Sequence, residues 1–135
     1  MAKILAIDWG EKKSGLAISD KEARFSFAYA LLPSVGLEKE IKKIVKLEEI
    51  STVVLGRPRN MDGSLGSQAE KVFKFAEILS KEVNIPIKYE DETGTSSLVK
   101  SQMIKEGLHP EKNKDLIDKR AAQLILEGYL NEQNN

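Results

Sequence analysis

Ile4-Leu5-Ala6-Ile7-Asp8-Trp9-Gly10, followed after four residues by Gly15-Leu16-Ala17-Ile18-Ser19, reads as two buried strands joined by a short loop, the first ending on a carboxylate. So short a connection favours antiparallel neighbours. Residues 24–32 continue the pattern as a third strand. Leu37, Ile41, Ile44 and Val45 then lie on one face of a helix over 37–46. Thr52-Val53-Val54-Leu55-Gly56 is a fourth strand, ended by Gly56 and Pro58. Ser67-Gln68-Ala69-Glu70 carries a capping-box pattern opening a helix to about residue 83, with Val72, Phe73, Ala76 and Leu79 as its apolar stripe. A fifth strand is expected over 85–90. Thr95 or Ser96 caps a helix that Gly107 stops, and a polar loop over 109–114 leads into a last helix to about 130. Three antiparallel strands followed by strand-helix alternation imply an α/β fold: a mixed five-stranded sheet flanked by helices, in one domain over residues 1–130. The polar tail, residues 131–135, is expected to fray.

The bulk properties narrow the function classes. A chain of 135 residues can bury a core without staples, and 41% hydrophobic with 31% charged residues is ordinary for a globular protein. No cysteine is present, which removes disulfides, thiol nucleophiles and cysteine-ligated zinc. No apolar run approaches the length of a membrane span, so a cytoplasmic protein is the expectation. Lysine and arginine number 21, as do aspartate and glutamate. Zero net charge argues against a large, purely electrostatic nucleic-acid footprint, yet it allows an acidic centre offset by a local basic rim.

Ligands in such sheets gather at the carboxyl ends of parallel strands, near the switch in strand order. Asp8 stands at one such end, and Glu90-Asp91-Glu92 at another. Side chains alternate along a strand, so only one of Asp91 and Glu92 shares the face of Asp8. Asp118 lines up with Ala121, Ala122, Ile125 and Tyr129 on the last helix. A carboxylate in an apolar stripe points toward the body of the protein and needs hydrogen bonds, a cation or a metal; a structural salt bridge is the plainer alternative. Asp115, one turn earlier, is explained by the helix dipole. Three acids converging on one sheet end suit hard divalent cations. Mg²⁺ or Mn²⁺ accept carboxylates and water, and two such ions about 4 Å apart clamp both oxygens of a phosphodiester displacement. The lone His109 reads as a surface residue. In the loop after the fourth strand, Arg57, Arg59 and Asn60 precede a helix amino end, a favourable arrangement for phosphate, and Lys12 and Lys13 add to that rim. Trp9 suits either stacking on a base or packing inward.

Ile7-Asp8-Trp9-Gly10 with Gly15-Leu16-Ala17-Ile18-Ser19-Asp20, Gly56-x-Pro58-x-Asn60-Met61-Asp62-Gly63-x-x-Gly66-x-Gln68-Ala69, Asp91-Glu92-Thr93 and Ile117-Asp118-x-x-Ala121-Ala122-x-x-Ile125-Leu126 resemble, in matching order from residue 3 to about 130, the YqgF family of RuvC-like Holliday junction resolvase homologues. Its members are provisionally named pre-16S rRNA nucleases. The resemblance implies a ribonuclease H-like fold, two-metal phosphodiester hydrolysis and trimming of the 5′ end of precursor small-subunit ribosomal RNA, within reach of the ribosomal small subunit. It carries the catalytic and metal-binding roles onto Asp8, Glu92 and Asp118, with alternation and resemblance together choosing Glu92 over Asp91. Thr93 and Gly94 depart from the arginine and bulky residue usual in the family, and Arg57 is a candidate substitute. Two other readings compete. Actin-like and sugar-kinase ATPases begin with a similar Asp-x-Gly hairpin but need two such domains; a catalytically weak RNA-binding module of the same fold is compatible with the neutral charge.

Overall fold

The protein is described by a computed structural model covering residues 2–58, 66–92 and 95–133, with the side chains of 95–97 outside that description. Five strands and four helices follow the expected order. They are β1 (Lys3–Asp8), β2 (Lys13–Ser19), β3 (Ser26–Pro33), α1 (Leu37–Leu47), β4 (Ile50–Arg57), α2 (Ser67–Ser80), β5 (Ile87–Asp91), α3 (Thr95–Lys105) and α4 (Lys114–Gln133), with a 3-10 turn at Pro110–Lys112. The sheet runs β3-β2-β1-β4-β5. β1 pairs antiparallel with β2 and β2 with β3, whereas β1–β4 and β4–β5 are parallel. β1 is therefore where the sheet changes direction, and its carboxyl end lies alongside those of β4 and β5.

Alternation along the strands divides the core in two. Leu5, Ile7, Val53 and Leu55 face α1 and α2, packing with Leu37, Ile41, Val72 and Leu79. Ile4, Ala6, Ala17 and Val54 face α4, meeting Ala122, Ile125, Leu126 and Leu130. Small side chains on both partners of the second interface seat α4 close to the sheet. A third cluster, Val99, Met103 and Ile117, joins α3 to α4. Burying each large apolar side chain is worth roughly 1.5–3 kcal/mol relative to exposure.

Several boundaries differ from expectation for identifiable reasons. β5 starts after Pro86, which has no N–H to donate, although its carbonyl still accepts from Val53 N at 3.0 Å. β3 starts after a turn in which Asp20 Oδ1 accepts from Arg24 N at 2.8 Å and Phe25 N at 2.9 Å. Gly66, in extended conformation, occupies the cap of α2, so Ser67 is the first helical residue and the capping-box reading does not hold. Nor does the tail fray from residue 131: α4 continues to Gln133, with Leu130 buried beneath its last turn. Among the described residues no helix is long and apolar enough to cross a membrane.

Candidate active site

Asp8 closes β1 in phase with Ile4 and Ala6, which places it on the α4 face of the sheet. Its register partner on β2 is Gly15. A Cβ at Gly15 would run into the carbonyl oxygen of Asp118, so the backbone of α4 rests directly on that glycine. One missing side chain thus sets Asp118 beside Asp8. Glu92 arrives from the other side. Its N–H donates to Arg57 O at 3.2 Å, extending the β4–β5 ladder by one residue. Its carboxyl lies over Gly56, where a Cβ would stand 3.0 Å from Glu92 Cδ and 2.5 Å from Ile125 Cδ1.

The electrostatics of this group are those of crowded acids. Burial, then the charge of Asp118, pushes the Asp8 carboxyl up to about 7. Burial, then the charge of Asp8 and a hydrogen bond donated to it, pushes Glu92 up to about 8. Near neutrality the two share a proton, with Glu92 donating and Asp8 accepting. Asp118 is also raised, by burial and then by Asp115, while Lys13 pulls it back. Among the described residues none of the three acids makes an ion pair, and no three acidic or histidine side chains converge closely enough to hold one ion together. The donor set still fits a hard divalent cation: it is all carboxylate oxygen, and the Asp8–Glu92 pair has only a proton to offset its charge. Glu90 stands apart, its carboxyl against Gly128 and held near 7 by burial and Glu132.

The loop after Asp8 is locked by a hydroxyl network. Ser14, buried in phase with Leu16 and Ile18, accepts from Gly10 N at 3.2 Å and bonds Ser34 Oγ at 2.7 Å. Ser34 Oγ donates to Gly10 O at 2.5 Å, so its single proton is committed and Ser14 is the donor between the two hydroxyls. From sequence Ser14 reads only as the end of a loop; the signal that marks it is a polar residue in phase with two buried apolar ones. Trp9 packs inward, its ring 6.2 Å from that of Phe75 on α2.

The expected basic rim is dispersed. Arg57 follows Gly56 and so faces the opposite side of the sheet from the acids. There its Nε donates to Asp91 Oδ1 at 2.7 Å, and its guanidinium lies 5.8 Å from the Tyr89 ring centre. Asp91 consequently braces this loop, as alternation suggests. Lys13 sits 3.6 Å from Asp115 beside Asp118, and Lys12 is exposed. His109 is exposed, 3.8 Å from Glu111. Arg59, Asn60, Thr93 and Gly94 lie outside the described residues.

A mixed sheet with acids gathered at its parallel strand ends defines a ribonuclease H-like fold, and solved structures agree. RuvC of Thermus thermophilus, determined in complex with a Holliday junction substrate, superposes with a TM-score of 0.57 over 98% of this chain and 96% of its own, at 14% identity. A second T. thermophilus RuvC structure gives 0.55. The sequence matches the RuvX family, described as Holliday junction resolvase, across residues 2–132, and the chain belongs to that family. A provisionally named pre-16S rRNA nuclease of Clostridium acetobutylicum is 39% identical over 132 residues, covering 96% of this chain and 98% of the relative. A similarly named protein of Halothermothrix orenii is 37% identical, covering 98% and 96%. The resemblance read from the motifs is borne out.

Proposed function

We propose that the chain is a metal-dependent nuclease, a phosphodiester hydrolase acting on nucleic acid, whose task is processing of the 5′ end of precursor small-subunit ribosomal RNA in the cytoplasm. The observation that carries this reading is the proton-sharing pair of Asp8 and Glu92 beside Asp118, at the carboxyl ends of β1 and β5 and without an ion-pair partner among the described residues. The names of the full-length relatives support the choice of ribosomal RNA.

In this reading residues 1–130 form one nuclease unit, and Asp8, Glu92 and Asp118 hold Mg²⁺ or Mn²⁺, as two ions. A carboxylate-bound divalent cation supplies Lewis-acid polarisation of the phosphoryl oxygens and a more acidic bound water. The chain's own contribution is positional. Gly15 and Gly56 leave room for α4 and for the Glu92 carboxyl, and the Ser14–Ser34 network holds the loop that carries Asp8. Asp8 and Glu92 give up their shared proton when the cation binds. Asp118, raised less by its surroundings and lying next to Lys13, faces the substrate side and orients the attacking water. Lys12, Lys13, Arg59 and Asn60 contact substrate phosphates, while Arg57 acts by bracing Asp91 and the loop leading to Glu92.

Junction resolution is the second reading, favoured by the family description and by the RuvC fold. The test is cleavage of labelled precursor ribosomal RNA and of a four-way DNA junction, with Mg²⁺ or Mn²⁺, by wild type and Asp8→Asn. We expect the wild type to cut the RNA and Asp8→Asn, which removes a charge but little volume, to be at least about a hundredfold slower while still folded. Equal activity of the two proteins would remove Asp8 from the mechanism. Preference for the junction would replace RNA processing by resolution. Binding without cleavage of either substrate would leave a binding module of this fold.

A further inference from the structure

Beside Asp118 the surface falls into a cavity of about 530 Å³ lined by Lys100, Pro110, Glu111, Lys114, Ile117 and Asp118. Its walls come from α3, the 3-10 turn and the first two turns of α4. Lys100 and Lys114 are exposed, and neither has an ion-pair or hydrogen-bond partner among the described residues. Other cations near the strand ends are engaged: Arg57 with Asp91, Lys71 with Glu11, and Lys13 with Asp115. A neighbouring concavity continues past Lys114 to Lys112 and Lys119. The molecule is neutral overall, yet unpaired lysines gather where one wall of the cavity is a candidate catalytic acid.

The size falls within the range of small-ligand sites, and the composition is mixed. Pro110 and Ile117 offer apolar wall, while Lys100 and Lys114 offer charge for a phosphate. A base stacked within a duplex cannot enter such a cavity, whereas an unstacked one can. Resting on the nuclease reading above, we infer that this cavity is a subsite for one unpaired nucleotide next to the scissile phosphodiester, its phosphate held by Lys100 and Lys114 and its base against Pro110 and Ile117. The substrate is then cut in a single-stranded segment, and the two lysines are positioning and specificity residues outside the acidic centre.

The test compares wild type with Lys100→Ala/Lys114→Ala and, as a charge-matched control, with Lys39→Ala/Lys46→Ala on α1. Binding of a short 5′-labelled single-stranded RNA is followed by anisotropy in EDTA across a salt series, alongside the same RNA annealed to its complement. Cleavage of the single strand is measured separately with Mn²⁺. For Lys100→Ala/Lys114→Ala we expect about tenfold weaker single-strand binding and a salt slope shallower by about 1.4, since each lost phosphate contact removes about 0.7. The duplex should be little affected, KM should rise, kcat should stay within about twofold, and the control should match wild type. Unchanged single-strand affinity and slope would overturn the subsite, even if the protein cleaves RNA normally. Equal losses for single strand and duplex would overturn the unpaired-nucleotide claim. If no cleavage is seen but the lysine-dependent single-strand binding is, the nuclease reading fails and the subsite stands.

Discussion

Asp8 and Glu92 place two negative charges where solvent screens them poorly, and the fold answers with a proton. Their carboxyls titrate near 7 and 8, well above ordinary values of 3.8 and 4.5. The sign of the consequence follows from linkage. The folded state keeps protons that the unfolded chain has already released, so stability falls as pH rises from about 4 to about 8. For this coupled pair the loss at pH 8 is on the order of 3 kcal/mol. Metal-free protein should therefore gain thermal stability on going from pH 8 to pH 6, and Asp8→Asn should be more stable than wild type at pH 8. Calorimetry in EDTA checks both; a wild type that is least stable at pH 6, or an Asp8→Asn variant destabilised at pH 8, would refute the shared proton. Added Mn²⁺ reverses the trend. It competes with the protons, so its stabilisation should be larger at pH 8 than at pH 6.

At the scale of the element, α4 carries most of the site's geometry. The offsets among Asp118, Ala121, Ala122 and Ile125 are legible in the sequence, and they place the aspartate toward the sheet. What they do not reveal is the strand on which the helix lands. That depends on Gly15, whose missing Cβ is occupied by the Asp118 carbonyl. Gly15→Ala should lift the first half of α4 from β2, lowering stability by roughly 1–3 kcal/mol as overpacking does. Activity should fall more than stability explains, because Asp118 moves with the backbone. Thermal unfolding together with kcat at a temperature where the variant is fully folded separates the two effects; wild-type values for both would show that the contact does not seat the helix. Arg57 illustrates a different limit of sequence reading. Alternation assigns Arg57 and Gly56 to opposite faces, but only the packed structure says that α4 covers the Gly56 face. Which residues share a face is local information; which helix covers that face is tertiary.

For the molecule as a whole, the two faces of the sheet have separate jobs. Element order and sheet composition were readable because the strands are nearly all apolar and the helices clearly periodic. The division of labour between the faces was not, since both cores draw on the same residue types. The α1–α2 face contributes burial, with Leu79 fully enclosed among Val72, Val83 and Phe75. The α4 face contributes burial and also bears the acids, with Leu126 fully enclosed between Asp118 and the helix end. Leu→Ala at either position removes the same side-chain atoms from an enclosed site, and each should cost roughly 2–5 kcal/mol. Their effects on catalysis should differ. Leu79→Ala leaves a cavity across the sheet from the acids, so its kcat well below the unfolding temperature should equal that of wild type. Leu126→Ala loosens the helix that positions Asp118, and its kcat should drop several-fold under the same conditions. Parallel melting curves establish that both variants are folded when assayed. If the two lose activity equally, the sheet transmits packing changes from one face to the other and the site is not governed by α4 alone; if neither does, Asp118 is held by the Gly15 contact without help from the core beneath it.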